Sequence, residues 1–350
     1  MNLLAPHEQP DIWILGHSKA SFEFIRTHTG YPHLHWSAPA LLSGLDGPRS
    51  RRTKLFSWLV PKFFKREMHF DMIFPFPIGT KWQQTACWIP DFQEKHLPDF
   101  FSAEELETRE QQHRHYFENY QHLVFSSAAA KQDFETFYPE ARVNIHVVHF
   151  AVFDPPMVQS DASSVLAQYK LPQRFFYCPN QFWVHKNHEL VIRSVALLKE
   201  RGIEVCVVFS GKEHDHRAPD HTQKLKRLVA SLNLEDQIRF LGFLPRDHQM
   251  VIFHNAHCIV QPSLFEGWST VIEDAKSISQ YVLASSIPAN LEQATENIEF
   301  FDPYQPEALA ALMEKYAMQD PPRKTIDYDI KRREFAQAVL SVVKAVRNTK

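Results

Sequence analysis

From Arg174 onward, short apolar runs take turns with segments of helical length. Arg174–Cys178, Glu204–Ser210, Gln237–Gly242, Cys258–Gln261, Tyr281–Ala284 and Ile298–Phe301 carry the β-branched and aromatic residues of buried strands. Strands so far apart cannot be joined by tight hairpins. They pair in parallel, and a parallel sheet needs helices on both faces. The pattern predicts an α/β domain.

The first half repeats the alternation less regularly. Asp11–Leu15, Asp71–Phe74, Thr85–Ile89, Leu123–Ser126 and Asn144–Phe150 read as strands, and Ala103–Tyr120 and Ala128–Phe137 as helices. A second α/β unit suits a chain of 350 residues, because one core serves about 150. Phe153–Ser164, with Asp154-Pro155-Pro156 followed by polar residues, has the composition of a semi-rigid linker. The expected division is an N-terminal domain over 1–155, a C-terminal domain over 165–325, and a final helix within 326–350. That helix, Lys331–Arg347, carries Phe335, Val342 and Val346 on one stripe, with Ala338 or Val339 between them. It is long enough to cross back to the first domain.

Apolar residues at 44% and charged residues at 23% match a soluble globular protein. No apolar run approaches the roughly 18 residues that would span a bilayer, and Met1–Pro10 lacks the features of a signal peptide. A cytoplasmic location is expected. Cys87, Cys178, Cys206 and Cys258 lie far apart in predicted strands, without zinc or redox spacing. A net charge of −3 provides no general attraction for nucleic acid.

One local cluster departs from that balance. Residues 49–66 hold seven basic and no acidic side chains, interleaved with Leu55, Phe56, Trp58, Leu59, Phe63 and Phe64. Two readings stand: contact with an anionic membrane surface, or a core helix with a basic rim that Pro61 would kink. The His214–His221 loop contains several histidines and aspartates but no helical i, i+4 pair, and reads as a solvated loop. His113 and His115 point to different faces of a helix and read as surface residues.

The stretch from Cys258 to Lys276 reads strand, turn, helix. In open parallel sheets ligands bind beyond the carboxyl ends of the strands, which places Glu266 on a binding loop. Gly267 follows, where a missing Cβ would let a ligand approach the backbone. Ser269 and Thr270 open the helix, and free first-turn amides with the helix dipole favour an anion such as a diphosphate. At about 100° per residue, Val271, Ile272, Ala275 and Ile278 define the buried face. Asp274 then stands at its rim, and Glu273 faces solvent.

Glu266 and Asp274 are separated by seven residues, and this spacing resembles the signature of the family-4 retaining glycosyltransferases of GT-B fold. The resemblance implies that Glu266 contacts the donor sugar and Asp274, in a position usually held by Glu, the ribose. Tyr177-Cys-Pro-Asn-Gln-Phe-Trp-Val-His-Lys resembles the family's phosphate loop. There Lys186 matches the lysine that neutralises the diphosphate, and Asn180 replaces an arginine; Asn180 reads either as a diphosphate contact or as a helix cap. Phe240-Leu-Gly-Phe-Leu-Pro resembles the segment beside the base, around Gly242, Phe243 and Leu244, and Ser210-Gly211-Lys212 another loop of the cleft. Trp88-Ile-Pro-Asp resembles a segment with a His-Asp pair: Asp91 matches, Pro90 replaces the histidine, and the contact is either lost or taken over by another group such as His96.

The resemblance is strongest over residues 85–318. It implies two Rossmann-like domains facing each other across a cleft, with a shortened acceptor-side N-terminal domain. It further implies metal-independent, retaining transfer of a mannose-like hexose from a nucleotide-sugar, the co-substrate in place of a cofactor, to a glycan or lipid-linked acceptor. Asp91 would form the opposite wall of the cleft. The alternatives are a sugar-nucleotide epimerase or phosphorolytic enzyme of the same fold, and a nucleotide-sugar-binding protein without activity.

Overall fold

A computed structural model describes residues 1–15, 18–37, 70–75, 84–153 and 161–349 of the chain. The basic segment 49–66 and most of the Pro155-Pro156 linker lie outside them. In the N-terminal half the strands are β1 (Ile12–Leu15), β2 (Leu34–Ser37), β3 (Ala86–Ile89), β4 (His122–Phe125) and β5 (Asn144–Val147), with helices α1 (Lys19–Thr29), α2 (Gln93–His96), α3 (Ala103–Asn119) and α4 (Ala128–Phe137). The C-terminal half holds β6 (Phe176–Cys178), β7 (Val207–Phe209), β8 (Ile238–Phe240), β9 (Cys258–Gln261), β10 (Val282–Ser285) and β11 (Ile298–Phe301). Its helices are α5 (Ala162–Gln168), α6 (His188–Glu200), α7 (His221–Ser231), α8 (Arg246–Asn255), α9 (Thr270–Ser277), α10 (Pro288–Gln293), α11 (Pro306–Met318) and α12 (Tyr328–Asn348).

The six C-terminal strands form one parallel sheet in the order β11-β10-β9-β6-β7-β8. Side chains alternate across it. Phe176, Cys178, Val207 and Phe209 pack on one face with Val191, Val195, Leu225 and Met313. Tyr177 and Val208 pack on the other with Val251, Ile252, Ile272 and Ala275. Strand order reverses between β6 and β9, and at such a switch point the loops leave in opposite directions and open a crevice. Lys186 follows the first of these strands and Glu266 the second.

In the N-terminal half, β3, β4 and β5 are parallel neighbours and β1 pairs in parallel with β2. Phe92, Phe125, Phe134 and Tyr138 fill the core beneath α3 and α4. A capping box between Ser102 and Glu105 starts α3, and the Ser127 hydroxyl caps α4. Val342 and Val346 of α12 pack on Ala86 and Val124 of this half.

Several expectations change. Asp71–Phe74 contributes only an isolated bridge between Ile73 and Thr85. α1 and β2 have no counterpart in the sequence reading. The end of the expected linker is helical because the Asp161 carboxylate accepts from the Ser163 and Ser164 amides and starts α5. His113 is buried rather than on the surface: its ring packs edge-on to Phe92, and burial lowers its pKa to about 4.

Candidate active site

A cavity of about 480 Å³ opens at the switch point. Asn180, Lys186, Gly211, Phe243, Leu244, Glu266, Ser269, Thr270 and Asp274 all line it, so residues scattered over almost a hundred positions converge on one space. Lys186 and Glu266 form an ion pair, with Nζ donating to Oε1 at 2.6 Å, and both side chains are largely buried. Gln261, at the end of β9, donates from Nε2 to the same Glu266 oxygen at 2.8 Å and to the Ser269 hydroxyl at 3.0 Å. Asn180 donates to Gln261 Oε1 at 2.8 Å. Asn180 therefore caps no helix; the N-cap residue of α6 is Asn187.

The start of α9 is partly occupied by the protein itself. The Ser269 hydroxyl accepts from the Ile272 amide, and the Ser269 amide donates to Gln293 Oε1 at 2.9 Å. Ser269 thus has no free amide for an anion, contrary to expectation. The next two first-turn amides belong to Thr270 and Val271, and both residues line the cavity.

On the cavity wall Arg246 donates to Asp274 Oδ1 at 2.6 Å. Asp274 is buried, and desolvation raises its pKa despite the opposing hydrogen bond and charge of Arg246. Lys212 and Trp183, which stand in the quoted loop motifs, also line the space, and so does Arg246, which was not singled out from the sequence. Arg246 directly follows the Phe240–Pro245 segment, so extending that motif by one residue would have found it.

Glu273 does not face solvent. It is 1% exposed, accepts from Tyr328 Oη of α12, and pairs with Lys276 at 2.7 Å and Gln293 Nε2 at 2.9 Å. The helical period places it away from the sheet, but α12 and α10 cover that side. Gly267 also plays a different part. A Cβ there would meet Pro90 O at 2.6 Å and Asp91 Oδ2 at 2.8 Å, so its absence admits the N-terminal half rather than a ligand. Gly211 similarly admits the Asn180 backbone, 2.1 Å from where a Cβ would stand. Gly242, at φ 66°, serves the turn and accepts from the Gly211 amide.

Asp91 sits against Gly267 beside the cavity rather than lining it. Burial raises its pKa, with Glu266 adding to the effect and the Gln93 amide, Arg109 and Lys186 opposing it. His96 bonds Asp133 at 2.8 Å, and its ring packs against Phe265, next to Glu266. Trp268 stacks on His149 of the N-terminal half at 4.2 Å and donates to Phe150 O. The loop carrying Glu266 is therefore held by both halves. Among the described residues, no group of three or more His, Cys, Asp or Glu could hold a metal ion, and no helix is long and apolar enough to cross a membrane.

Residues 167–333 match the family described as Glycosyl transferases group 1. O-antigen chain mannosyltransferase RfbU of Salmonella typhimurium is 21% identical over 182 residues, covering 52% of this chain and 47% of that protein. The chain spans about half the length of this curated relative. A glycosyltransferase from Rickettsia africae superposes with TM-score 0.62 at 15% identity, over 97% of this chain and 90% of that one. Sucrose-phosphate synthase from Thermosynechococcus elongatus gives 0.54 at 17%, over 93% and 72%. Anabaena HepE in complex with UDP-glucose gives 0.54 at 16%, over 75% and 67%. At these identities the likeness concerns the fold, an α/β GT-B arrangement with parallel sheets.

Proposed function

We propose that the protein, whose residues 167–333 match the glycosyl transferases group 1 family, binds a nucleotide-sugar in the 480 Å³ cavity and transfers its sugar. The observation that carries this reading is the Lys186–Glu266 pair at the switch point, beside the opening turn of α9. The donor diphosphate would lie between Lys186 and the Thr270 and Val271 amides, where cation and helix dipole stabilise the charge that grows as the glycosidic bond breaks. Glu266 would contact the sugar. Asp274 would take the ribose hydroxyls, with Arg246 exchanging or sharing its carboxylate. Phe243 and Leu244 would flank the base. The complex of HepE with UDP-glucose supports a donor of this class.

The reaction we assign is retaining and needs no metal. The acceptor hydroxyl attacks the anomeric carbon from the face the diphosphate leaves, the C–O electron pair departs with the nucleoside diphosphate, and a diphosphate oxygen takes the acceptor proton. We assign a mannose-like hexose and a glycan or lipid-linked acceptor; the name of the Salmonella O-antigen chain mannosyltransferase supports the mannose and the glycan. An acceptor in a membrane leaflet would suit peripheral attachment through residues 49–66, read by co-sedimentation with anionic and neutral vesicles at low and high salt.

Incubation with a panel of nucleotide-sugars, followed by detection of free nucleoside diphosphate and of glycosylated acceptor, tests the assignment. Glu266→Gln should lower turnover about a hundredfold or more in a variant that circular dichroism shows to be folded. Near-parental turnover would remove Glu266 from the chemistry. A second reading, a nucleotide-sugar binder without transfer, draws on Asn180 in the arginine position and on Asp274 already engaged by Arg246. Its mark would be donor binding without release of nucleoside diphosphate.

A further inference from the structure

Gln261 is fully buried at the end of a strand whose other residues are apolar. A primary amide in that position must be hydrogen-bonded at both ends or destabilise the fold. Here its closest partners are all side chains of the cavity. Nε2 donates to Glu266 Oε1 at 2.8 Å and to Ser269 Oγ at 3.0 Å, and Oε1 accepts from Asn180 Nδ2 at 2.8 Å.

The arrangement has a direction. An ionised carboxylate only accepts, so the amide nitrogen of Gln261 must face Glu266 and its oxygen must face away. Asn180 supplies the donor that this oxygen then requires. Lys186 and Gln261 both donate to Oε1 of Glu266, and Glu266 lines the cavity. We propose that Gln261 is a positioning residue for the transfer reaction: it holds the Glu266 carboxylate in one orientation, and Asn180 fixes the sense of the Gln261 amide. The inference rests on the glycosyltransferase reading. It also gives Asn180 a task that an uncharged residue performs, since its amide nitrogen donates to Gln261 Oε1 and to Cys178 Sγ.

Gln261→Leu keeps the volume and removes both polar ends. It should lower kcat about a hundredfold, the scale of a displaced reacting group, while donor KM and nucleoside diphosphate Kd change by less than about threefold, because Lys186 and α9 still hold the phosphates. Parental kcat, or an equal loss of binding and turnover in a folded variant, would overturn the proposal. Gln261→Glu supplies a readout that loss of packing would not produce. At acid pH its carboxyl is protonated and can donate to Glu266; ionised, it repels Glu266. Activity relative to the parent should therefore fall as pH rises, and a flat ratio counts against positioning. If the parent itself releases no nucleoside diphosphate from any donor, the function reading fails separately. The Gln261 side-chain amide signals in 15N-labelled protein then decide the geometry. They should shift on Glu266→Gln, and unmoved signals would overturn the chain of bonds.

Discussion

Glu273 and Asp274 are neighbours in sequence, yet one is locked beneath α12 and the other lines the cavity. Helical periodicity put the two carboxylates on different sides of the helix but could not say what covers Glu273, because that depends on α10 and α12, with Gln293 and Tyr328 lying 20 and 55 residues further along the chain. Glu94 is a similar case. It is 2% exposed, neither carboxylate oxygen has a hydrogen-bond partner among the described residues, and Arg109 approaches only to 3.5 Å. Burial, the largest cause, raises its pKa, with Arg109 opposing. The folded protein therefore bears a cost above the ordinary carboxylate range, and that cost vanishes below it, where folded and unfolded chains are both protonated. Glu94→Gln should stabilise the protein by about 1 kcal/mol at pH 7, with no gain at pH 3. Denaturant titrations at both pH values check this, and a loss at pH 7 would mean that the Arg109 attraction outweighs desolvation.

At the scale of elements, the two halves are joined through helix ends. Glu292, near the end of α10, accepts from the Ala128 and Ala129 amides at 2.7 and 3.1 Å and from His149 at 2.7 Å. It therefore serves as an anionic cap on α4 supplied from the other half of the chain. Burial alone would raise its pKa, but the hydrogen bonds from His149 and the two amides hold it below the ordinary value. A depressed carboxyl stabilises the fold above its unfolded pKa, and the contribution is lost as pH falls through the folded value. Glu292→Gln should accordingly cost about 1 kcal/mol at pH 7 and progressively less on acidification below the ordinary carboxylate range. Thermal unfolding across that range tests it, and a pH-independent cost would assign the effect to packing. The capping residues Ser102, Ser127 and Asp161 lie beside the helices they start, whereas Glu292 is far from α4 in sequence. Only local caps could be found by reading along the chain.

For the molecule as a whole, α12 ties the halves together. It begins at Tyr328 against Glu273 of α9, Arg332 donates to Val152 O, and Val342 and Val346 end on Ala86 and Val124. Val342→Asp would bury an unpaired carboxylate at a position 3% exposed, at a cost of about 3 kcal/mol or more. The exposed neighbour change Ser341→Asp should be nearly neutral. Urea unfolding of the two variants distinguishes a structural helix from a loosely attached tail, which would tolerate both.

Strand and helix periods, the Glu266–Asp274 spacing and the lysine loop were legible along the chain because each depends on residues within one or two turns of each other. The parallel sheet followed from the periods, and the choice of Lys186, Glu266 and Asp274 from the resemblance of those motifs to a known family. Position across the fold was not legible. That Gly267 yields to Pro90 and Asp91, that Gln293 takes the Ser269 amide, and that Arg246 reaches Asp274 are contacts between segments whose meeting depends on how the strands are ordered and how the halves close. Local pattern specifies which residue types stand at a strand end or helix start. Whether a buried donor or carboxylate there is left for a ligand or spent on the protein depends on which distant side chain desolvates and bonds it.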